Sequence, residues 1–238
     1  MALAYQSKWT NVKRSLRALR HLAYPDLCGA CNQALYQQEY GICRHCGLRL
    51  PYTHFHRIEQ NPVAQLFHGR LRLEHASALF FFEKGGMVQE LMHNIKYNRG
   101  LAAARQAGRW MGEALLEAHW DVDIIVPVPL HRRKLRQRGY NQSLMIALGV
   151  HDQLKIPVCT DALIRNTHTL SQTRQSRLGR WENVGSSFSC IESSRITRKH
   201  VLLIDDVVTT GATLEACGMA LLNNIDTRLS IASLALAT

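Results

Sequence analysis

Two adjacent carboxylates and a group of hydroxyls near the end of the chain are the residues best suited to chemistry. Asp205 and Asp206 follow the apolar run 201–204, and residues 209–213 then contain three threonines and a glycine. Ionised carboxylates only accept hydrogen bonds, so an adjacent pair suits the two hydroxyl donors of a ribose diol. Threonine hydroxyls, backbone amides and the start of a helix together suit a phosphate. The pattern predicts a sugar-phosphate site, and the alternative is a carboxylate pair that caps a loop.

The predicted site divides into two groups of residues. Asp205 and Asp206 are the catalytic candidates and the ribose-binding residues. The phosphate-binding candidates are the consecutive residues Thr209, Thr210, Gly211, Ala212 and Thr213. Glycine at the third of these positions permits a close approach of the ligand or a positive φ.

The elements that must position this site are alternating strands and helices, which begin at about residue 76. The predicted strands are 77–82, 124–128, 156–159, 201–204 and 229–236. The predicted helices are 87–97, 101–119, 141–148 and 213–222. Strands separated by helices pair in parallel, and ligands of such sheets bind outside the carboxyl ends of the strands. The segment 51–75 is rich in loop-forming residues, and no element is assigned to it.

Four cysteines near the start of the chain have the spacing of a metal site. Cys28 and Cys31 form one CxxC pair, and Cys43 and Cys46 form a second pair eleven residues later. Four thiolates close a tetrahedral shell around Zn²⁺, so the metal would be structural. A disulfide pair and a redox CxxC are the alternatives, and disulfides fit a cytoplasmic chain poorly. His45, His54, His56 and His68 are expected at the surface, and Cys159, Cys190 and Cys217 are expected to be buried.

The charge of the chain indicates an anionic partner. Lys and Arg number 29 against 18 Asp and Glu, which gives a formal net charge of +11. The excess lies mainly in three acid-free stretches, residues 1–25, 127–151 and 162–181. Such stretches attract nucleic acid or phosphorylated ligands, and a solvated basic surface is the alternative.

The N-terminal segment predicts a basic amphipathic helix over residues 8–23, because apolar residues recur there at three- and four-residue steps. It could lie on a membrane surface or a partner, or pack on the rest of the chain. No apolar run approaches the ~20 residues that span a bilayer, and the first thirty residues lack the apolar region of a secretory signal. We therefore expect a cytoplasmic protein, with a peripheral position at the inner membrane as a further possibility.

Residues 201–213 resemble the phosphoribosyl-pyrophosphate (PRPP) signature of type I phosphoribosyltransferases. Further motifs are similar to the amidophosphoribosyltransferase-like ComF/GntX group. They are Val126-Pro-Val-Pro-Leu130, Arg138-Gly-Tyr-Asn-Gln142, His93-x-x-Lys96-Tyr97, and Gln172 with Arg180-x-x-Asn183. An N-terminal cysteine module is also typical of the group. Many relatives carry further CxxC pairs that are missing here, so we expect one zinc ion, and Gln175 stands where relatives often carry Leu.

The resemblance implies a fold and a set of ligands. The fold would be α/β, type I phosphoribosyltransferase-like, with a mainly parallel sheet flanked by helices and a small N-terminal zinc module of four cysteines. The domains would be a basic helix at 1–27, the zinc module and linker at 28–70, and the phosphoribosyltransferase-like domain at 71–238. Arg132 and Arg133 would face the pyrophosphate of PRPP, whose Mg²⁺ needs few protein ligands; a solvated basic loop is the alternative.

Three functions are compatible with these features. The first is a ComF-type competence protein that assists uptake of single-stranded transforming DNA on the cytoplasmic side, with a PRPP-binding domain. The second is an active phosphoribosyltransferase with an unidentified nucleobase or amine acceptor. The third is an interaction module that docks a DNA-uptake helicase or a membrane channel protein. The nucleic-acid candidates are Arg136, Arg138, Arg174, Arg177 and Arg180, with Tyr140 and Trp181 as residues that either stack on bases or belong to the core.

Overall fold

The computed structural model describes residues 25–36, 38–97, 100–166, 187–191, 193–223 and 226–237. Six strands are present in these ranges: β1 (His75–Phe82), β2 (Ile124–Pro127), β3 (Leu163–Arg165), β4 (Phe188–Cys190), β5 (His200–Val208) and β6 (Arg228–Ala237). Four of them form a sheet in the order β1-β6-β5-β2, and every pairing in it is parallel. Strands β3 and β4 form a separate antiparallel pair.

The helices of the described ranges are α1 (Arg44–Arg49), α2 (Pro62–Phe67), α3 (Met87–Tyr97), α4 (Leu101–Glu117), α5 (Arg132–Arg138), α6 (Gln142–Leu154) and α7 (Ala212–Leu222). Short 3-10 turns lie at Phe55–Arg57 and Ser193–Arg195. Side-chain caps begin several of the helices. Asn61 accepts from two amides of α2, and Asn141 accepts from the amide of Ser143 in α6.

Strand β5 lies inside the sheet and separates two apolar layers. Leu202 and Ile204 pack in a cluster with residues of α3, α4 and α6. Val201 and Leu203 pack in the other cluster, which includes residues of α7. Successive side chains of a strand point to opposite faces, and a parallel sheet covered on both faces is apolar on both. Helices therefore flank both sides of β5.

The cysteine segment packs on this core. Cys28 and Cys46 belong to the same buried cluster as Leu91 of α3. The Asn94 side chain of α3 donates to the carbonyl of Gly29 over 2.9 Å. A methyl group at Gly29 would lie 2.5 Å from the Cβ of Ala103, so glycine allows the close contact with α4. The segment shares its core with the α/β part of the chain.

The sheet and the cysteine segment confirm the predicted fold class, a mainly parallel sheet flanked by helices with a small N-terminal module of four cysteines. Helix α3 has the predicted bounds. Most other bounds differ from the prediction by one or two residues, and the differences are larger in three elements. Residues 156–159 form only an isolated bridge, between Val158 and Ile125. Helix α6 continues to Leu154, and β5 continues to Val208.

The helix predicted at 8–23 lies outside the described residues, so its position is not assigned. None of the helices in the described ranges combines the length and the apolarity that crossing a bilayer requires. His56 differs from its expected surface position, because its side chain is only 8% exposed. Cys159 and Cys217 are buried as expected, whereas Cys190 is half-buried.

Candidate functional site

The carboxyl ends of β2 and β5 bring the predicted ligand-binding segments to one edge of the sheet. Pro127 at the end of β2 pairs with Ile204, directly before the acidic pair. The amide of Val128 donates to the carbonyl of Ile204 over 2.9 Å. The segment that leads into α5 therefore begins beside Asp205, and the threonine loop follows β5 at the same edge.

Asp205 and Asp206 lie within β5 rather than after it, and each carboxylate is held through one oxygen. Oδ1 of Asp205 accepts from the hydroxyl of Ser143 and from the amide of Asp206, both over 2.9 Å. Oδ2 of Asp206 accepts from Nε2 of Gln142 over 3.2 Å. The same oxygen lies 3.2 Å from the ammonium of Lys96 on α3. Two elements besides β5 therefore fix the acidic pair.

The second oxygen of each carboxylate makes no hydrogen bond or ion pair with the part of the chain that the structure describes. These two oxygens, Oδ2 of Asp205 and Oδ1 of Asp206, remain available as acceptors. Two carboxylate oxygens from adjacent residues can accept from two adjacent hydroxyl groups. The arrangement is therefore compatible with the diol that the sequence predicts.

The acidic pair has an unusual protonation equilibrium. Burial, with the charge of Asp206 as a second cause, raises the pKa of Asp205 to about 7. The amide of Asp206, the hydroxyl of Ser143 and the charge of Lys96 act in the opposite direction. A group that changes its charge near neutral pH in this position is typical of a functional site.

The threonine loop exposes its hydroxyl-bearing residues. Thr209, Thr210 and Thr213 are exposed, and Gly211 is buried between them. Gly211 is the N-cap of α7 with a φ of 76°, in the left-handed region, and it supplies no side-chain cap. The first amides of a helix have no partner within the helix, so those of α7 can donate to an anion.

Gly211 also allows a close contact with a segment for which the sequence predicted no element. A methyl group at this position would lie 2.8 Å from Cε1 of Phe67 in α2. Arg70, three residues after Phe67, donates to the carbonyl of Thr210 over 3.2 Å and forms an ion pair with Glu215 of α7. The sequence indicated these contacts only through the basic character of Arg70, because the segment around it shows no periodicity that predicts an element.

The basic segment after β2 is a helix and not only a loop. Arg132 and Arg133 begin α5 and are exposed, as is Arg136. Arg138 is half-buried, with its guanidinium carbon 5.3 Å from the centroid of the Tyr97 ring. Helix formation is explained by the His131 side chain, which accepts from the amide of Arg133, and by Gly139, which ends the helix in the left-handed conformation.

Tyr140, one of the two proposed stacking residues, is half-buried and donates its hydroxyl to the carbonyl of Ile95. Burial is also the main cause that raises its pKa. The tyrosine therefore joins the start of α6 to α3. Arg174, Arg177 and Arg180 lie outside the described residues, as does Trp181.

The four cysteines of the N-terminal module meet at one point. Their sulfur atoms all lie within 4.8 Å of one another, and the Sγ atoms of Cys31 and Cys43 are 3.9 Å apart. A tetrahedral zinc site with Zn–S bonds of about 2.3 Å places its sulfurs about 3.8 Å apart. Backbone amides donate to Cys28 from Ala30 and Cys43. The cluster is compatible with structural zinc.

Comparison with known proteins gives relatives for most of the chain, although no family model matches it. The chain is 29% identical over 202 residues to Competence protein F of Haemophilus influenzae, a match that covers 82% of this chain and 83% of that protein. It is 27% identical over 224 residues to the DNA utilization protein YhgH of Escherichia coli, with coverages of 85% and 93%.

Among solved structures, the chain is similar to glutamine PRPP amidotransferase from B. subtilis, in a complex with ADP and GMP. The TM-score is 0.45 at 18% identity, over 60% of this chain and 30% of that one. A hypoxanthine phosphoribosyltransferase from Staphylococcus aureus gives a TM-score of 0.35 at 16% identity, with coverages of 75% and 73%.

The sheet and its flanking helices thus define the class: an α/β protein with a parallel sheet and an added module of four cysteines. Within that class, the similarity to Competence protein F and YhgH over most of the chain confirms the resemblance to the ComF family.

Proposed function

We propose that this chain assists the uptake of single-stranded transforming DNA and that its α/β part binds PRPP. Support comes from two sources. One is the similarity to a competence protein and to a DNA utilization protein. The other is the site at the carboxyl edge of β5, where two available carboxylate oxygens precede an exposed threonine loop. This combination of acceptors and donors is the observation that carries the proposal.

PRPP fits the site by its chemistry. The two ribose hydroxyls would donate to Asp205 and Asp206. The 5′-phosphate would accept from the threonine loop and the first amides of α7. Arg132 and Arg133, exposed at the start of α5, would donate to the pyrophosphate. Magnesium would be held mainly by ligand oxygens and water, and it would offset the negative charge of the pyrophosphate.

A binding experiment tests the PRPP proposal. Thermal unfolding is measured with and without PRPP and Mg²⁺ for the native chain and for the double variant Asp205→Asn, Asp206→Asn. We expect a ligand-induced rise in Tm for the native chain and little or none for the double variant, because an amide offers one acceptor where a carboxylate offers two. The matched control is Asp226→Asn, an exposed position with a φ of 61° that Asn tolerates. An equal rise in the double variant would refute the diol assignment.

Single-stranded DNA would bind a basic surface that includes the exposed side of α5. Arg136 is exposed on α5, and the whole chain carries a net charge of +11. Arg138 is half-buried against Tyr97, and we propose that it supports this surface. Arg174, Arg177 and Arg180 belong to the proposal from sequence alone.

The DNA proposal is tested by titrating a fluorescent single-stranded oligonucleotide at several salt concentrations. Each neutralised phosphate contributes about −0.7 to the slope of log K against log salt, so several contacts give a steep slope. We expect Arg136→Ala to weaken binding and to make the slope shallower by about one contact. Lys155→Met, which also removes one positive charge, is the control. No binding at low salt would contradict the proposal.

The second candidate is an active phosphoribosyltransferase. It is favoured by the exposed Arg132 and Arg133 at the start of α5, because the segment before them leaves the sheet at the edge that holds the acidic pair. The bond between the anomeric carbon and the pyrophosphate oxygen would break, and pyrophosphate would leave with the electron pair. An acceptor nitrogen would form the new bond and release its proton to solvent. The arginines would stabilise the leaving group electrostatically. Pyrophosphate release is measured across a panel of nucleobases and amines, and no release with any acceptor would leave a binding site without turnover.

We also place this activity at the cytoplasmic side, free in the cytoplasm or peripheral at the inner membrane, with a DNA-uptake helicase or membrane channel protein as partner. The cysteine module, which we propose binds one structural zinc ion, would dock the partner together with the segment 1–27. Deletion of residues 1–50 followed by separate pull-down and DNA-binding assays distinguishes docking from DNA contact, provided that circular dichroism shows the shortened chain to be folded.

A further inference from the structure

We propose that Lys96 and Gln142 are positioning residues, which hold Asp206 in the orientation that a ribose hydroxyl needs. This inference rests on the proposed PRPP site. Lys96 lies on α3 and Gln142 begins α6, and their sequence positions are 46 residues apart. The fold brings both side chains to one oxygen of one carboxylate.

The Asp206 side chain is 9% exposed, and Lys96 is 23% exposed. A carboxylate this deeply buried loses most of its hydration, which costs free energy unless a counter-charge and hydrogen bonds replace the water. Lys96 supplies the counter-charge over 3.2 Å. Gln142 supplies a hydrogen bond of the same length from Nε2. Together they replace the water that Asp206 has lost.

Lys96 and Gln142 both contact Oδ2 of Asp206, and these two contacts determine where Oδ1, the second oxygen of the carboxylate, lies. With Oδ2 of Asp206 engaged twice, the carboxylate cannot rotate without breaking a hydrogen bond and an ion pair. Oδ1 is therefore the oxygen left to accept from a ligand.

Gln142 has a further feature that points to a ligand. The residue is 4% exposed, and its Oε1 atom is buried without a hydrogen-bond partner among the residues that the structure describes. Turning the amide over would place Oε1 against the carboxylate of Asp206, which repels it. A buried acceptor without a donor costs free energy unless a water or a ligand hydroxyl donates a hydrogen bond to it. Gln142 thus offers an acceptor beside the acidic pair while it holds Asp206.

The charges around the pair predict how the arrangement responds to pH. Lys96 opposes the rise in the pKa of Asp205 that burial and Asp206 cause. On the side of α7, burial keeps the pKa of Cys217 well above its ordinary value, and the charges of Asp205 and Arg165 act on that thiol in opposite directions. Cys217 therefore stays protonated, and among the described residues Lys96 is the cation that opposes the rise in the pKa of Asp205. Its removal favours protonation of Asp205.

The test is the pH profile of PRPP affinity, measured calorimetrically with Mg²⁺ for the native chain and for Lys96→Met. Methionine keeps the length of the side chain and removes the charge. We expect affinity to fall as pH decreases through about 7 in the native chain, where Asp205 gains its proton. In Lys96→Met the midpoint should move up by about one pH unit, with a loss of about fivefold at pH 7. The phosphates of PRPP also titrate, but they do so equally in every variant.

Two further variants make the result specific. Lys96→Arg keeps the charge and should keep the native midpoint. Lys155→Met is the matched control, because Lys155 lies at the opposite end of α6, about 20 Å from Gln142 along a helix of 13 residues. If Lys96→Met does not fold, Gln142→Met takes its place, because it removes the Nε2 donor to Asp206 and should weaken PRPP binding several-fold relative to Lys155→Met.

Three results would overturn the inference. They are an unchanged profile, a profile lowered by the same factor at every pH, and a midpoint that moves equally in Lys155→Met. A uniform loss means that Lys96 touches the ligand directly. Failure of the native chain to bind PRPP counts against the proposed function instead. In that case ¹³C NMR titration of the aspartate carboxyls in the free protein still tests the role of Lys96, since Asp205 should gain its proton at higher pH in Lys96→Met.

Discussion

At the scale of single residues, the proposed site requires the ionised carboxylate of Asp205, but ionisation of this buried group lowers the free energy of unfolding. Its raised pKa means that the folded chain binds this proton more tightly than the unfolded chain does. Between about pH 4 and pH 7 the folded state therefore holds more protons, and the free energy of unfolding falls as pH rises. Above pH 7 the penalty stays constant.

Asp205→Asn should remove this penalty. The amide oxygen can still accept from Ser143 and from the amide of Asp206, so the local structure is kept. We expect the variant to be more stable than the native chain at pH 8, by about 1–3 kcal/mol, and similar to it at pH 4. Denaturant unfolding at both pH values measures the difference. Equal stability at pH 8, or a gain of the same size for Asp226→Asn, would contradict the prediction.

At the scale of elements, the position of Gln142 and Ser143 depends on how closely α6 approaches α4. Glycines make this approach possible: a methyl group at Gly149 would lie 2.2 Å from the carbonyl oxygen of Arg105, and one at Gly108 would lie 2.2 Å from that of Ile146. Asp152 of α6 adds ion pairs with Arg105 and Arg109, and its hydrogen bond with Arg105 is the main cause that lowers its pKa.

Gly149→Ala should push α6 away from α4, because the obstacle is backbone. We expect a loss of about 2–4 kcal/mol in the free energy of unfolding, together with weaker PRPP binding, since the first turn of α6 holds both carboxylates. Gly218→Ala is the matched helical control. Its methyl group would meet the ends of the Leu71 and Leu229 side chains, which can move, so we expect a change within about 1 kcal/mol. Chemical denaturation measures the free energy of unfolding of the two variants. Equal losses would exclude the close approach of α4 and α6 as the reason for the effect.

At the scale of the whole molecule, the cysteine module and the α/β part should lose stability together. Cys28 and Cys46 are buried in the same apolar cluster as Leu91 and Ala103. A metal that holds the four sulfurs would therefore stabilise the shared core and not only its own loop.

We expect one zinc ion per chain by elemental analysis, and a fall of about 5–10 °C in Tm when a chelator removes it. Cys31→Ser should lower both the zinc content and the Tm. Cys190→Ser, a cysteine outside the cluster, should bind zinc as the native chain does. Full zinc content in Cys31→Ser would exclude the four-cysteine site.

The sequence predicted the parallel sheet because its strands are apolar runs separated by helical periodicity, and it predicted the cysteine cluster because CxxC spacing is local. The bounds of the elements around the site were harder to predict. Charged Asp205 and Asp206 look like the end of a strand, but pairing with β6 continues to Val208. Lys96 and Gln142 stood in motifs without an assigned role, since only packing of α3 and α6 on β5 brings them to Asp206.

The way the acidic pair is held has a consequence for how the protein moves. The first turn of α6 contacts both carboxylates, and Lys96 of α3 also contacts Asp206. A ligand that binds both carboxylates therefore adds contacts to a place that α3, α6 and β5 share. Its binding should reduce local opening of these elements together. Amide hydrogen exchange in α3 and in the first turns of α6 would then slow in step.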